Sequence, residues 1–162
     1  MVTGEAPRLP ISKVMTWDTA AQWRAAVRGA VVFTNGVFDL LHPGHIEVLD
    51  MARREGAALV VGLNSDTSVK RLKGPSRPVR NTAERAMVLA GLEAVDAVVV
   101  FDQDTPFELV QRLQPDVIVK GGDYSPETIV GAELVAARGG RVVVVPLVAG
   151  QSTTSIIEKL RG

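Results

Sequence analysis

His42 and His45 are the only two histidines in the chain, and Pro43-Gly44 separates them. They follow the run Val31-Val32-Phe33-Thr34-Asn35-Gly36-Val37-Phe38-Asp39. Proline suits the first position of a helix, because its missing N–H would be unpaired there anyway. Ile46, Leu49 and Ala52 then recur at helical spacing until Gly56 offers a stop. The pattern puts both imidazoles beside the first turn of a helix that leaves a strand. Free backbone N–H groups and the positive end of the helix dipole attract anions there. A single histidine is often a surface residue or a cap; two of them in this strand–turn–helix context point to phosphate chemistry. Ser152-Thr153-Thr154 offers hydroxyls and N–H groups at a second helix start. Lys70, Arg71, Lys73, Arg77 and Arg80 form a basic, Pro-broken segment able to reach over phosphates. These parts together suit a nucleoside triphosphate.

The usual nucleotide signatures are absent. The chain has no G-x-x-x-x-G-K-[ST] loop, no G-x-G-x-x-G after a strand, and no G-x-S-x-G elbow. Eighteen basic residues balance eighteen acidic ones, which argues against general nucleic-acid binding. There is no Cys, hence no disulfide, thiol nucleophile or thiolate metal site, in keeping with the cytosol. The first residues hold no long apolar segment, so neither a signal peptide nor a membrane span is expected.

The elements that must carry these residues alternate. Apolar runs at residues 30–33, 57–63, 95–101, 115–120 and 141–146 read as five strands. Helices are expected from an Asp18 cap through Val27, from Pro43, from Ser65 or Asp66 through Leu72, and from Asn81 or Thr82 through Leu92. Others are expected from Asp104 or Thr105 through Leu113, from about Pro126 to Ala137, and through Ile156 and Leu160 at the end. Continuous apolar strands alternating with helices predict a doubly wound α/β fold, a five-stranded parallel sheet with helices on both faces. Residues 29–162 are expected to be the domain, and residues 1–28 an N-terminal segment and helix packed on it. Ligands bind such sheets at the carboxyl ends of the strands, where Thr34 to Asp39, Asn64 to Asp66 and Lys120 to Tyr124 fall.

The run Thr34-Asn35-Gly36-Val37-Phe38-Asp39 with His42-Pro43-Gly44-His45 resembles the H-x-G-H signature of the nucleotidyltransferase superfamily, whose fold is Rossmann-like. Gln151-Ser152-Thr153-Thr154-Ser155-Ile156-Ile157 resembles its S-T-T-x-I motif. Asn64-Ser65-Asp66, Lys70-Arg71-Leu72-Lys73-Gly74, Ser76-Arg77-Pro78-Val79, Asp104-Thr105-Pro106 and Val119-Lys120-Gly121-Gly122-Asp123-Tyr124 narrow the likeness to heptose 1-phosphate adenylyltransferases, over nearly the whole chain. Many such enzymes carry a sugar kinase domain ahead of this one, so the chain is expected to resemble the stand-alone form. The resemblance implies adenylyl transfer from ATP to D-glycero-D-manno-heptose 1-phosphate, Mg²⁺ bridging the triphosphate, and a homodimer.

The resemblance also distributes roles. His42, His45 and Lys73 are expected to be catalytic. Thr34, Asn35, Gly36, Phe38, Gly44, Arg85, Lys120, Gly121, Gly122, Asp123, Tyr124, Ser152, Thr153 and Thr154 are expected to bind the nucleotide. Asn64, Asp66, Lys70 and Arg77 are expected to bind the acceptor. Asp39 is expected to orient the acceptor or the histidine loop, with turn stabilisation as the alternative. Residues 70–80 are expected to form a mobile lid. Cytidylyltransferases of the superfamily carry a basic residue shortly before the S-T-T motif; this chain has Leu147, which favours ATP over CTP.

Overall fold

The computed structural model describes residues 4–147 and 152–162. Among them one parallel sheet contains β1 (Val14–Met15), β2 (Val31–Gly36), β3 (Ala58–Asn64), β4 (Ala97–Phe101), β5 (Val117–Gly121) and β6 (Arg141–Val145). Their spatial order is β1-β4-β3-β2-β5-β6. The helices are α1 (Trp17–Ala26), α2 (Pro43–Arg54), α3 (Asp66–Lys73), α4 (Thr82–Ala90), α5 (Phe107–Leu113), α6 (Ala132–Ala137) and α7 (Thr153–Arg161).

The α/β reading holds, but the sheet has six strands rather than five. The added strand, β1, pairs Val14 with Val98 and Met15 with Val99 at the sheet edge. Two residues are too few to print an apolar run, so only pairing with β4 makes them a strand. Residues 14–15 of the N-terminal segment therefore belong to the sheet itself. Side chains of the central strands alternate between faces. Val32 joins Leu49 and Ala52 of α2 and Leu89 of α4 in one buried cluster. Val31 and Phe33 join Ala20 of α1, Leu109 of α5 and Val135 of α6 in the other. Full burial of a Val, Leu or Phe contributes about 1.5–3 kcal/mol each, so the two clusters hold the helices to the sheet.

Caps set where the helices begin. Asn81 and Glu84 form a reciprocal capping box at the start of α4. Ser65 caps α3 by accepting from the Ser68 N–H at 3.1 Å. Thr16, not Asp18, caps α1, because its hydroxyl accepts the Thr19 N–H; Asp18 lies in the first turn and pairs with Arg112. Neither Asp104 nor Thr105 caps α5, whose N-cap is Pro106. The helix expected over residues 126–137 is divided into a 3₁₀ turn, Pro126–Thr128, and α6. Gly131 separates them at φ +88, where a Cβ would come within 2.9 Å of Val110.

The chain runs from β2 outward through β3 to β4, then returns to the other side of β2 for β5 and β6. Neighbouring strands thus lead away from β2 and β5 in opposite directions, which opens a crevice at their carboxyl ends. No described helix is long and apolar enough to cross a membrane.

Candidate active site

A cavity of about 550 Å³ occupies that crevice. The exit of β2 enters it first. Phe38 adopts φ +46, an uncommon left-handed conformation for a non-glycine residue, and its ring lies 5.3 Å from that of His45. His42 is the N-cap of α2. The His42 and His45 rings stack, centroids 3.8 Å apart. The His42 backbone N–H donates to His45 Nδ1 at 3.3 Å. A neutral imidazole that accepts at one nitrogen carries its proton on the other. His45 is therefore an Nε2–H donor on the cavity wall.

Burial lowers the pKa of His42. Burial, and then the neighbouring His42, push His45 down to about 4. The pair is neutral near pH 7, so what it can offer an anion is N–H donation rather than full positive charge. Among the described residues, His42 Nδ1 is buried with no hydrogen-bond partner.

The start of α7 meets the same loop. Thr153 Oγ1 donates to the Leu40 carbonyl at 2.9 Å. Ser152 caps α7 by accepting the Ser155 N–H at 3.0 Å. Ser152, Thr153 and Thr154 all line the cavity, so the N-termini of α2 and α7 both open into it. Gln151, the first residue of that motif, lies outside the described residues.

On the β5–β6 side stand Lys120, Gly121, Tyr124 and Leu147. Burial lowers the Lys120 pKa. Its Nζ donates to Asn35 Oδ1 at 3.5 Å and lies 5.9 Å from the centre of the Tyr124 ring. Gly121 leaves no room for a Cβ without contact at 3.0 Å with Val48. Gly122 (φ +128) and Asp123 belong to this turn but do not line the cavity.

On the β3–β4 side, Asn64, Lys73 and Arg77 line the cavity, with Thr34 to Phe38 and Gly44 between the two sides. Asp39 also reaches the wall, but its buried carboxylate is fully engaged. It accepts from the Val79 N–H at 2.9 Å, the Arg80 N–H at 3.0 Å and Arg77 Nε at 2.7 Å. Burial alone would raise its pKa; the Val79 and Arg80 hydrogen bonds and the Arg77 guanidinium outweigh that and hold it below the usual carboxylate range. Asp39 thus ties the start of the histidine loop to residues 77–80. Within the basic segment, Lys70, Arg71 and Lys73 lie on α3, and Arg77, Val79 and Arg80 bond Asp39.

Three further expected site residues stand apart from the cavity, besides Gly122 and Asp123. Arg85 is 1% exposed, and its guanidinium donates to Arg80 O, Val37 O, Asn64 O, Asp66 Oδ1 and Thr82 Oγ1. All five N–H groups of the fork have protein acceptors, so none is left for a phosphate. Asp66 is correspondingly held by Arg85, 2.8 Å away. Lys70 is exposed on α3, outside the cavity lining. Conversely, Val37, Val48, Leu72 and Asp104 line the cavity without having been assigned a site role from sequence. Val48 was legible as one helical turn beyond His45, and Asp104 as part of the Asp104-Thr105-Pro106 motif.

The profile of the cytidylyltransferase-like family matches residues 33–159. The chain belongs to the cytidylyltransferase-like family. Among its relatives, the bifunctional protein HldE of Hyphomonas neptunium is 56% identical over 156 residues, covering 96% of this chain and 32% of that protein. HldE of Paramagnetospirillum magneticum is 51% identical over the whole of this chain and 33% of its own length. The cytidylyltransferase-like chain thus spans about a third of the length of these relatives. The crystal structure of the lipopolysaccharide core biosynthesis protein from Thermoplasma volcanium superposes with a TM-score of 0.59 at 29% identity, over 75% of this chain and 98% of that one. Pantoate-beta-alanine ligase from Francisella tularensis, 14% identical with a TM-score of 0.59 over 91% of this chain and 76% of its own, shares the fold alone.

Proposed function

We propose that this chain is a nucleotidyltransferase that moves the adenylyl group of ATP to D-glycero-D-manno-heptose 1-phosphate, giving ADP-heptose and pyrophosphate for lipopolysaccharide or surface-glycan assembly. The observation that carries the chemistry is the convergence of two helix N-termini and a stacked, neutral histidine pair on one cavity. An acceptor phosphate has a second pKa of about 6, so it is already an anion near neutral pH and needs no strong base. Its oxygen bonds to the α-phosphorus of ATP while the bond to the bridging oxygen breaks and pyrophosphate leaves. Charge grows on the α-phosphoryl and leaving oxygens. N–H donors of His45, of the helix ends and of Lys73 are suited to meet it without rearrangement. Mg²⁺ enters as part of the MgATP substrate, on the triphosphate oxygens.

The choice of acceptor rests on likeness to bifunctional HldE proteins and on the Lys120–Tyr124 and Asp104–Pro106 motifs. The choice of ATP rests on Leu147, an apolar cavity residue where cytidylyltransferases supply a cation. The reading places the chain in the cytoplasm, where ATP is, and as a homodimer. A pyrophosphate-release assay crossing ATP, CTP and GTP with heptose 1-phosphate and glycerol 3-phosphate tests it. The highest kcat/KM is expected for ATP with heptose 1-phosphate. Preference for CTP with glycerol 3-phosphate would replace the adenylyltransferase reading by a cytidylyltransferase one.

A further inference from the structure

Besides the fully engaged Asp39, Asp104 is a carboxylate on the cavity wall that the phosphate chemistry does not use. A negative group repels phosphate, so its place in a phosphate-binding cavity needs another reason. The structure builds this position deliberately along one face of α3. Ser65 Oγ donates to the Asp102 carboxylate, Ser68 Oγ donates to Gln103 O at 3.1 Å, and Arg71 donates to Asp102 O and, at 2.9 Å, to Asp104 Oδ1. Residues three apart lie on the same helix face, so the cap Ser65 and the α3 side chains Ser68 and Arg71 grip three successive residues of the loop after β4. Arg71 holds one oxygen of Asp104; among the described residues the other accepts no hydrogen bond, and the side chain is 69% exposed. Beside it, the 4%-exposed Asn64 commits its Nδ2–H to Ser68 Oγ at 3.0 Å, leaving its amide oxygen as a second acceptor. Acceptor-only oxygens on a rigid wall fit hydroxyl donors.

We infer that Asp104, anchored by Arg71, is a specificity residue that reads the hydroxyl-rich end of a sugar phosphate acceptor; this rests on the adenylyl-transfer reading above. Position supports the far end of the sugar. Asp104 follows β4 and the histidine pair follows β2, two strand spacings away, roughly 10 Å. With the acceptor phosphate near the histidines, a seven-carbon sugar extends its ring and side chain toward Asp104.

The test compares wild type with Asp104→Ala and Asp104→Asn, using D-glycero-D-manno-heptose 1-phosphate and D-mannose 1-phosphate, which lacks the terminal hydroxymethyl carbon. A hydrogen bond to a charged group is worth about tenfold to hundredfold in an equilibrium constant. Asp104→Ala is expected to raise KM for the heptose by at least about tenfold, with KM for ATP unchanged and a smaller effect for mannose 1-phosphate. Asp104→Asn, which keeps one oxygen acceptor, is expected to fall between. Unchanged heptose KM in Asp104→Ala, or an equal loss with both sugars, overturns the inference. Absence of pyrophosphate release by wild type sinks the adenylyl-transfer reading instead. Asp104 is then judged by calorimetric binding of the heptose phosphate, where equal binding or no binding in wild type and variant overturns it.

Discussion

Asp39 and Asp104 are two aspartates on the wall of one cavity, and their surroundings make them different residues. Asp39 sits at the exit of β2 with its side chain fully buried, facing two backbone N–H groups and Arg77. Asp104 sits past the end of β4, with its side chain 69% exposed and, among the described residues, only Arg71 as ion partner. Burial removes water as an alternative partner, so a buried carboxylate must be satisfied by the protein and becomes part of the scaffold. An exposed one keeps an acceptor available for a ligand. The same contrast separates Arg85, buried with every donor engaged, from Lys73, exposed at the end of α3 beside the cavity.

The strongest test breaks the buried side. Asp39→Ala leaves Arg77 and two backbone N–H groups without their acceptor, and removing one partner of a buried pair costs about 3–5 kcal/mol. Urea unfolding of the variant should show that loss; a change below about 1 kcal/mol would remove the contrast with Asp104.

Next comes the histidine pair, whose effect belongs to turnover. His45→Ala should lower kcat by about 10²–10³, roughly 3–4 kcal/mol of barrier, with little change in stability at pH 7.5. A folded variant with near-normal kcat would move the chemistry elsewhere in the cavity.

The pH dependence separates the histidines from Asp39. Folding lowers His45 from 6.5 to about 4, so the unfolded chain takes up the proton first as pH falls. Stability is therefore whole above pH 6.5 and declines as pH drops toward 4. Asp39, depressed below the ordinary 3.8, contributes its stability above that pH and loses it only in stronger acid. Unfolding midpoints at pH 7.5 and 5 should differ more for wild type than for His45→Gln. Equal differences would place the acid sensitivity outside the pair.

The smallest effect sharpens the exposed side. Asp104→Ala should change stability by no more than about 0.5 kcal/mol, as for surface substitutions generally. A thermal shift as large as that of Asp39→Ala would make Asp104 part of the scaffold.

Much of this architecture was legible beforehand because it is local. Apolar runs marked the five longer strands, Pro43 marked the start of α2, and Asn81 with Glu84 marked that of α4. Thr16 escaped notice as a cap because Asp18, two residues on, is an equally good capping type; only backbone geometry distinguishes them. The tie from Asp39 to residues 77–80 escaped notice because a basic run broken by Gly74-Pro75 looks the same whether or not a distant carboxylate bonds it.

By itself the sequence determined the alternation of strands and helices, the placing of the histidine pair at a helix start and the family resemblance, since each depends on neighbours a few residues apart. Tertiary structure decided which charges are available. Arg85 and Asp66 lie 19 residues apart, Asp39 and Arg77 lie 38 apart, and Arg71 and Asp104 lie 33 apart. No local pattern says whether such groups will meet, or how much water will remain around them once they do. Burial and partner count settle whether a charged side chain holds the fold together or faces a substrate, and both exist only after the strands have assembled.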